Sequence, residues 1–194
     1  KKVCNQYTQQ DNPLFLPELA PSVRQAAYVY YALGRNAMCF APFAIDGFKP
    51  ETAAAVARSY ESLYGFLPFF AQHCGKGRNI GLLYTGWDAE TCQLGEYKIE
   101  VRYNQQRNED EYQPESGGLI LQTGKDEFFV CGFGMQLSFH PASGQADTQI
   151  EFLLHEEGAF KDGVWCPERR MNGDELAIRL TTPSIRRVKF HLYK

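Results

Sequence analysis

The sequence has no apolar run of the roughly 18 residues that suggest a membrane-spanning helix, and its first residues show no secretory pattern. It also has no basic stripe. Lys and Arg number 20 against 23 Asp and Glu, for a net charge of −3, and both signs are mixed along the chain. That argues against nucleic acid as a partner, because such binders concentrate positive charge on one face. C-x-x-C, P-loop, G-x-G-x-x-G and G-x-S-x-G patterns are all missing, so neither a zinc or thiol redox centre nor a nucleotide cofactor is expected. His73, His140, His155 and His191 have no ligand spacing, and no metal site is read from them. No internal repeat or low-complexity tract occurs. Six scattered cysteines do not suggest a disulfide framework in a chain of 194 residues, which is long enough to bury a core without one. Cys39 and Cys131 lie in apolar strand patterns and are expected to act as small buried hydrophobes. Cysteine usage therefore does not reveal a compartment.

Two short apolar segments, each followed by a carboxylate, carry the most chemical information. The first is Leu14-Phe15-Leu16-Pro17-Glu18 and the second Met38-Cys39-Phe40-Ala41-Pro42-Phe43-Ala44-Ile45-Asp46. Between them, residues 21 to 33 begin with Pro21 in a position suited to a first helical turn and stop before Gly34. Val23, Ala26, Ala27, Tyr30 and Tyr31 repeat there at helical spacing. Pro50 opens a second helix with Val56, Tyr60, Leu63 and Tyr64 as its apolar stripe, and Pro68 is expected to kink or interrupt it. The order is strand, helix, strand, helix. In parallel α/β arrangements catalytic groups sit where strands end and loops begin, which is where Glu18 and Asp46 fall.

After Gly77 the period changes. Asn79 to Thr85 has a strand's length, and Tyr97, Ile99, Val101 and Tyr103 alternate with Lys98, Glu100 and Arg102. Leu119 to Gln122, a Phe-rich run from Glu127 to Phe139 interrupted by Gly132 and Gly134, and Ile150 to Leu154 read as further strands. Asn172-Gly173 is a hairpin signal. Leu176, Ile178 and Leu180 alternate after it, as do Val188, Phe190 and Leu192 in the last strand. About eight short strands with polar turns predict an antiparallel β-sandwich or barrel. The expected boundary lies near Gly75 to Arg78, dividing residues 1–77 from 78–194. Two parallel strands and two helices make too small a core on their own, and parallel sheets normally have both faces covered. The favoured expectation is that further strands of the same sheet precede this chain.

The residues from Asp11-Asn12-Pro13 through Glu18, and Phe40 through Asp46-Gly47, resemble the seventh and eighth strands of a glycoside hydrolase family 35 catalytic barrel, in its bacterial β-galactosidase-like branch. In that branch a β-rich C-terminal domain follows the barrel. The stretch Glu156-Glu157-Gly158-Ala159-Phe160, continuing through Gly163-Val164-Trp165 to Arg169-Arg170-Met171-Asn172-Gly173-Asp174-Glu175, is similar to that domain's most recognisable segment. The resemblance implies an α/β part followed by an all-β part: the last two βα units of a (β/α)8 barrel plus the sandwich. It implies a retaining exo-acting hydrolase acting on terminal sugars of a carbohydrate substrate, with Glu18 as nucleophile. The acid/base glutamate would lie upstream, roughly 5 Å from Glu18 in the intact enzyme, and this chain alone would be inactive. A nucleophilic carboxylate must be ionised, so Glu18 would need donors or cations nearby. The implied partners are the carbohydrate and the remainder of the barrel, and the implied location is periplasmic or extracellular.

The residues themselves leave alternatives open. Glu18 can be a solvated carboxylate preceding a helix. Asp46 can hold sugar hydroxyls or cap the turn before Pro50. Adjacent Glu156 and Glu157 point to opposite faces of a strand and make a poor catalytic dyad. Asp174 and Glu175 follow a turn and are expected to be solvated, and Arg169 and Arg170 are expected to pair with acids. Trp87 and Trp165 can stack on sugars or pack in the core. The chain can thus also be read as a non-catalytic carbohydrate-binding or structural module, or as an independent small α/β protein. Apolar surface left for the rest of a barrel would favour self-association.

Overall fold

Alternation of apolar and polar residues assigns most of the chain to two stacked antiparallel sheets. The computed structural model describes residues 14–19, 25–42, 47, 49–75, 77–84, 89–104, 116–142, 148–171 and 177–193, with backbone alone for 14–19 and 38–42. Strands β3 (Asn79–Leu83), β6 (Gly117–Gly124), β7 (Glu127–Phe133), β9 (Gln149–Lys161), β10 (Val164–Arg170) and β12 (Ser184–Tyr193) form a six-stranded sheet in the order β10-β9-β12-β7-β6-β3. Strands β4 (Ala89–Leu94), β5 (Tyr97–Tyr103), β8 (Met135–Pro141) and β11 (Ala177–Leu180) form a four-stranded sheet in the order β11-β8-β5-β4. The expected sandwich is present, with more strands than the periodicity suggested.

Tyr97, Ile99 and Val101 of β5 are fully buried and meet Ile120, Phe128, Val130, Val188 and Phe190 across the gap between the sheets. The rings of Tyr97, Phe128, Phe139 and Phe190 contact one another at centroid separations such as 5.1 Å for Tyr97–Phe128 and 4.7 Å for Phe139–Phe190. Tyr97 also donates its hydroxyl to Asp126 at 2.7 Å, which satisfies the polar end of a buried ring.

The other face of the six-stranded sheet is apolar as well. Leu119, Leu121, Phe129, Cys131 and Ile185 point away from the second sheet and pack against helices α1 (Gln25–Gly34), α2 (Pro50–Tyr64) and α3 (Leu67–His73). Phe66, between α2 and α3, is fully buried and touches Phe129 and Phe160 of the sheet. The helices and the sheet thus share one core. Gly81 makes the contact tight: a Cβ on it would overlap the carbonyl oxygen of Tyr31 in α1.

A third, separate unit is a parallel ribbon of β1 (Leu14–Leu19) and β2 (Ala37–Pro42). Helix α1 connects them and lies between the ribbon and β3 and β6. Strand, helix, strand and helix therefore occur in the expected order. Among the described residues, β1 and β2 pair only with one another.

Four local expectations need correction. Pro68 neither kinks nor interrupts α2. The break comes earlier, at Gly65-Phe66, and Pro68 lies in the first turn of α3, where its missing N–H costs nothing. The Phe-rich run is two strands in different sheets, divided at Gly134, whose φ of +67° turns the chain from β7 into β8. Asn172-Gly173 lies outside the described residues, and its flanking strands β10 and β11 belong to different sheets, so they do not form a hairpin with each other. Ile150 to Leu154 is only the first part of β9, which continues through Lys161 and pairs with β10 beyond a turn at Asp162-Gly163. No helix among the described residues is long and apolar enough to cross a membrane.

Candidate functional site

Parallel pairing fixes how the end of β1, and with it the backbone of Glu18, lies relative to β2. Leu16 is level with Phe40 and Leu19 with Pro42, so both strands end at the same edge of the ribbon. Glu18 is the penultimate residue of β1. Its side chain lies outside the described residues, as does all of Asp46, which follows the end of β2. The edge is held by α1. Its Ala26, Ala27, Tyr30, Tyr31 and Ala32 are buried, because the helix has a strand layer on either side. Tyr30 donates to Ser62 of α2 at 2.5 Å, and burial pushes its phenol up to about 12, so it remains protonated.

A polar cluster with His155 and Arg186 buried at its centre lies elsewhere, on β9, β10 and β12. Antiparallel register sets Glu157 opposite Arg186 on one side and Arg169 on the other, and Glu156 opposite Arg187 and Arg170. Neighbouring residues on a strand face opposite ways, so two charge groups form on the two faces. On the inner face Glu157 contacts Arg186 at 2.5 Å and Arg169 at 2.6 Å. Burial pushes the Glu157 carboxyl up, but the hydrogen bonds and charges of Arg169 and Arg186 outweigh it and hold it below the usual range. On the outer face Arg187 bonds Glu127 at 2.7 Å and lies 3.9 Å from Glu156. Glu156 also accepts the indole N–H of Trp165 at 3.2 Å.

This arrangement is poor in chemistry. A carboxylate clamped by two arginines is neither a proton donor at neutral pH nor free to attack, and its neighbour points away from it. Arg169 pairs with an acid as the sequence suggested. Trp165 packs on Phe129 and Phe160 with centroids 5.3 and 5.2 Å apart, so its ring belongs to the helix-side core. Trp87, Asp174 and Glu175 lie outside the described residues. Cys131 is buried in the helix-side core, and burial raises its thiol well above the usual value. Cys74 and Cys166 are also free thiols. The side chain of Cys39 lies outside the described residues. Among the described residues no group of three or more His, Cys, Asp or Glu is placed to hold a metal ion.

One member of the cluster was missed from the sequence. His155 is on the same face as Glu157 and Arg186, is 5 % exposed and, among the described residues, has no hydrogen-bond partner on either ring nitrogen. Burial lowers its pKa to about 4, with Arg186 adding to the effect and Glu157 opposing it. Its ring stacks on Phe152 at 5.0 Å. The legible signal was the pairing of Glu156-Glu157 with Arg186-Arg187, two acids and two bases on strands that turn out to be neighbours.

A family model described as a domain of unknown function, DUF5597, matches residues 56–181. The chain belongs to this family. The match begins inside α2 and ends just past β11, so the DUF5597 region takes in most of the sandwich and the α2–α3 layer. It does not include β1, α1 or β2, where Glu18 lies. No curated protein matches the chain.

Proposed function

We propose that this chain is the carboxyl-terminal part of a retaining, exo-acting, β-galactosidase-like glycoside hydrolase. Residues 1–77 would supply the last two βα units of its barrel, and residues 78–194 the accessory sandwich. The observation that carries the reading is the parallel ribbon: two strands joined by a helix, with their carboxyl ends level and Glu18 at that edge. Strand ends of this kind are where barrel enzymes keep their catalytic groups. Glu18 is the nucleophile and forms the glycosyl-enzyme bond, while a second glutamate from the preceding part of the barrel protonates the leaving oxygen and then activates water. Asp46, just after β2, holds sugar hydroxyls.

Two features of the surface support a larger sheet around the ribbon. Tyr64 and Leu67 are 80 % and 43 % exposed. They border a mainly apolar cavity of about 390 Å3, lined also by Val29, Leu33 and Ala37, with Glu61 as its one charged residue. Ala37 is the first residue of β2, so this apolar surface continues onto the ribbon. The rest of the barrel would cover it. The test is Glu18→Gln in the parent polypeptide with an activated aryl β-galactoside. Turnover is expected to fall by about a thousandfold or more, since the variant keeps binding and loses the attacking group. Turnover within a few-fold of the parent would reject the nucleophile.

The second reading is a non-catalytic module, either structural or carbohydrate-binding. The shared core between helices and sheet favours it, because that interface braces α1 and with it the ribbon. A chain that leaves turnover unchanged on Glu18→Gln, yet is needed for the stability of its parent, would have this role.

A further inference from the structure

A second cavity shares Glu61 with the one beside β2 but has a more polar lining. It measures about 570 Å3 and lies between α2 and the turn that leads from β11 into β12. Its polar residues are Arg58, Ser59, Glu61 and Ser62 of α2 and Thr181 and Thr182 of the turn, with the Ser59 hydroxyl donating to the Ala55 carbonyl. Its apolar surface includes Phe133 at the end of β7. The volume falls within the range of small-molecule sites.

The chemistry of the lining narrows the occupant. Arg58 and Glu61 make no ion pair or hydrogen bond among the described residues, so a guanidinium with five donors and a carboxylate with only acceptors are both available. Ser62 Oγ donates to the Ser59 carbonyl at 2.9 Å and receives the Tyr30 hydroxyl at 2.5 Å, which leaves it one acceptor position. The two threonines can donate and accept. Arg58 and Glu61 cancel in charge, so an anion that gained from one would be repelled by the other. A purely apolar ligand would use neither the donors of Arg58 nor the acceptors of Glu61. A neutral sugar fits both constraints. Its vicinal hydroxyls match a donor beside an acceptor, and its C–H face matches the ring of Phe133.

We propose that this cavity binds a neutral sugar residue, with Arg58 and Glu61 as the hydrogen-bonding pair and Phe133 as the apolar wall. No residue of β1 or β2 takes part, so the proposal stands whether or not Glu18 is a nucleophile. The test is calorimetric titration of the 194-residue chain with three neutral disaccharides (galactobiose, cellobiose and xylobiose) and with sulfate as the anionic control. Saturable binding of at least one disaccharide is expected. It should weaken about tenfold or more in Arg58→Ala and in Glu61→Gln, because each loses a charge-assisted hydrogen bond. Both positions are exposed on α2, and a circular dichroism melt checks that each variant folds. Glu18→Gln should bind like the parent chain, which separates this result from the nucleophile assignment. The proposal is overturned if none of the disaccharides binds, if binding ignores both substitutions, or if sulfate alone binds in an Arg58-dependent way.

Discussion

The antiparallel sandwich and the parallel ribbon satisfy their backbones in opposite manners. Each inner strand of the sandwich has a neighbour on both sides, and its six-stranded sheet is covered on one face by the other sheet and on the opposite face by helices. The ribbon has two strands, and among the described residues each has one partner. A two-stranded unit is marginal alone, so the ribbon depends on α1, which is packed against the sandwich. The sandwich reads as a finished structure. The ribbon is a two-stranded unit among the described residues, and the functional proposal takes it as part of a larger sheet.

Removing a large core side chain on each side of the six-stranded sheet should break this comparison most visibly. Phe128→Ala empties the space between the sheets, and Phe66→Ala the space under the helices; both rings are fully buried. Each should cost about 3–5 kcal/mol. The patterns should differ: Phe128→Ala lowers hydrogen-exchange protection throughout, whereas Phe66→Ala lowers it chiefly in α2, α3 and the ribbon. Equal loss everywhere in both variants would mean that the helices and sandwich unfold as one unit.

The next largest effect concerns a flaw inside the sandwich itself. His155 is neutral when folded, with a pKa of about 4, and takes up a proton near 6.5 when unfolded. Between those values the unfolded chain binds more protons, so stability rises with pH across that window and falls as the pH drops through it. Denaturant titration at pH 7 and pH 4.5 should differ by about 2–3 kcal/mol from this group. His155→Leu should remove that part of the dependence while leaving the contribution of carboxylates such as Glu157. An unchanged pH profile in the variant would mean that His155 is solvated.

A smaller effect should come from Gly81→Ala, which presses a methyl group onto the backbone of α1 at Tyr31. A cost of about 1–3 kcal/mol is expected, measured by thermal or denaturant unfolding, with the ribbon losing protection before the sandwich. Stability equal to that of the parent would show that α1 can shift away from the sheet, and that the ribbon is held more loosely than its packing indicates.

Strand periodicity made the sandwich legible where one face meets water. Tyr97 to Tyr103 alternate cleanly because Lys98 and Arg102 are exposed opposite buried partners. It was harder to read where both faces are covered. Phe128 to Phe133 is apolar throughout, since β7 has helices on one face and the four-stranded sheet on the other, and the change of sheet shows only as Gly134 and the return to alternation at Met135, Leu137 and Phe139. β4 was missed because Ala89, Thr91 and Gln93 leave it mostly polar on an outer edge. Asn172-Gly173 suggested a local hairpin, whereas the strands on either side find partners far away in sequence. At the proposed catalytic edge, the sequence located Glu18 at the end of a strand and the structure adds the parallel partner that gives that end a direction. His155 could not have been found from spacing alone. Its burial depends on the pairing of β9 with β12, a contact that no local pattern encodes.

The proposed role of Glu18 is open to a direct chemical test. Incubating the parent polypeptide with a 2-fluoro galactoside bearing a good leaving group, followed by peptide mapping, reads this without relying on rates. The covalent sugar is predicted on the peptide that contains Glu18, and it should be absent in Glu18→Gln. A catalytically competent parent labelled on a different carboxylate, with Glu18 unmodified, would contradict the account.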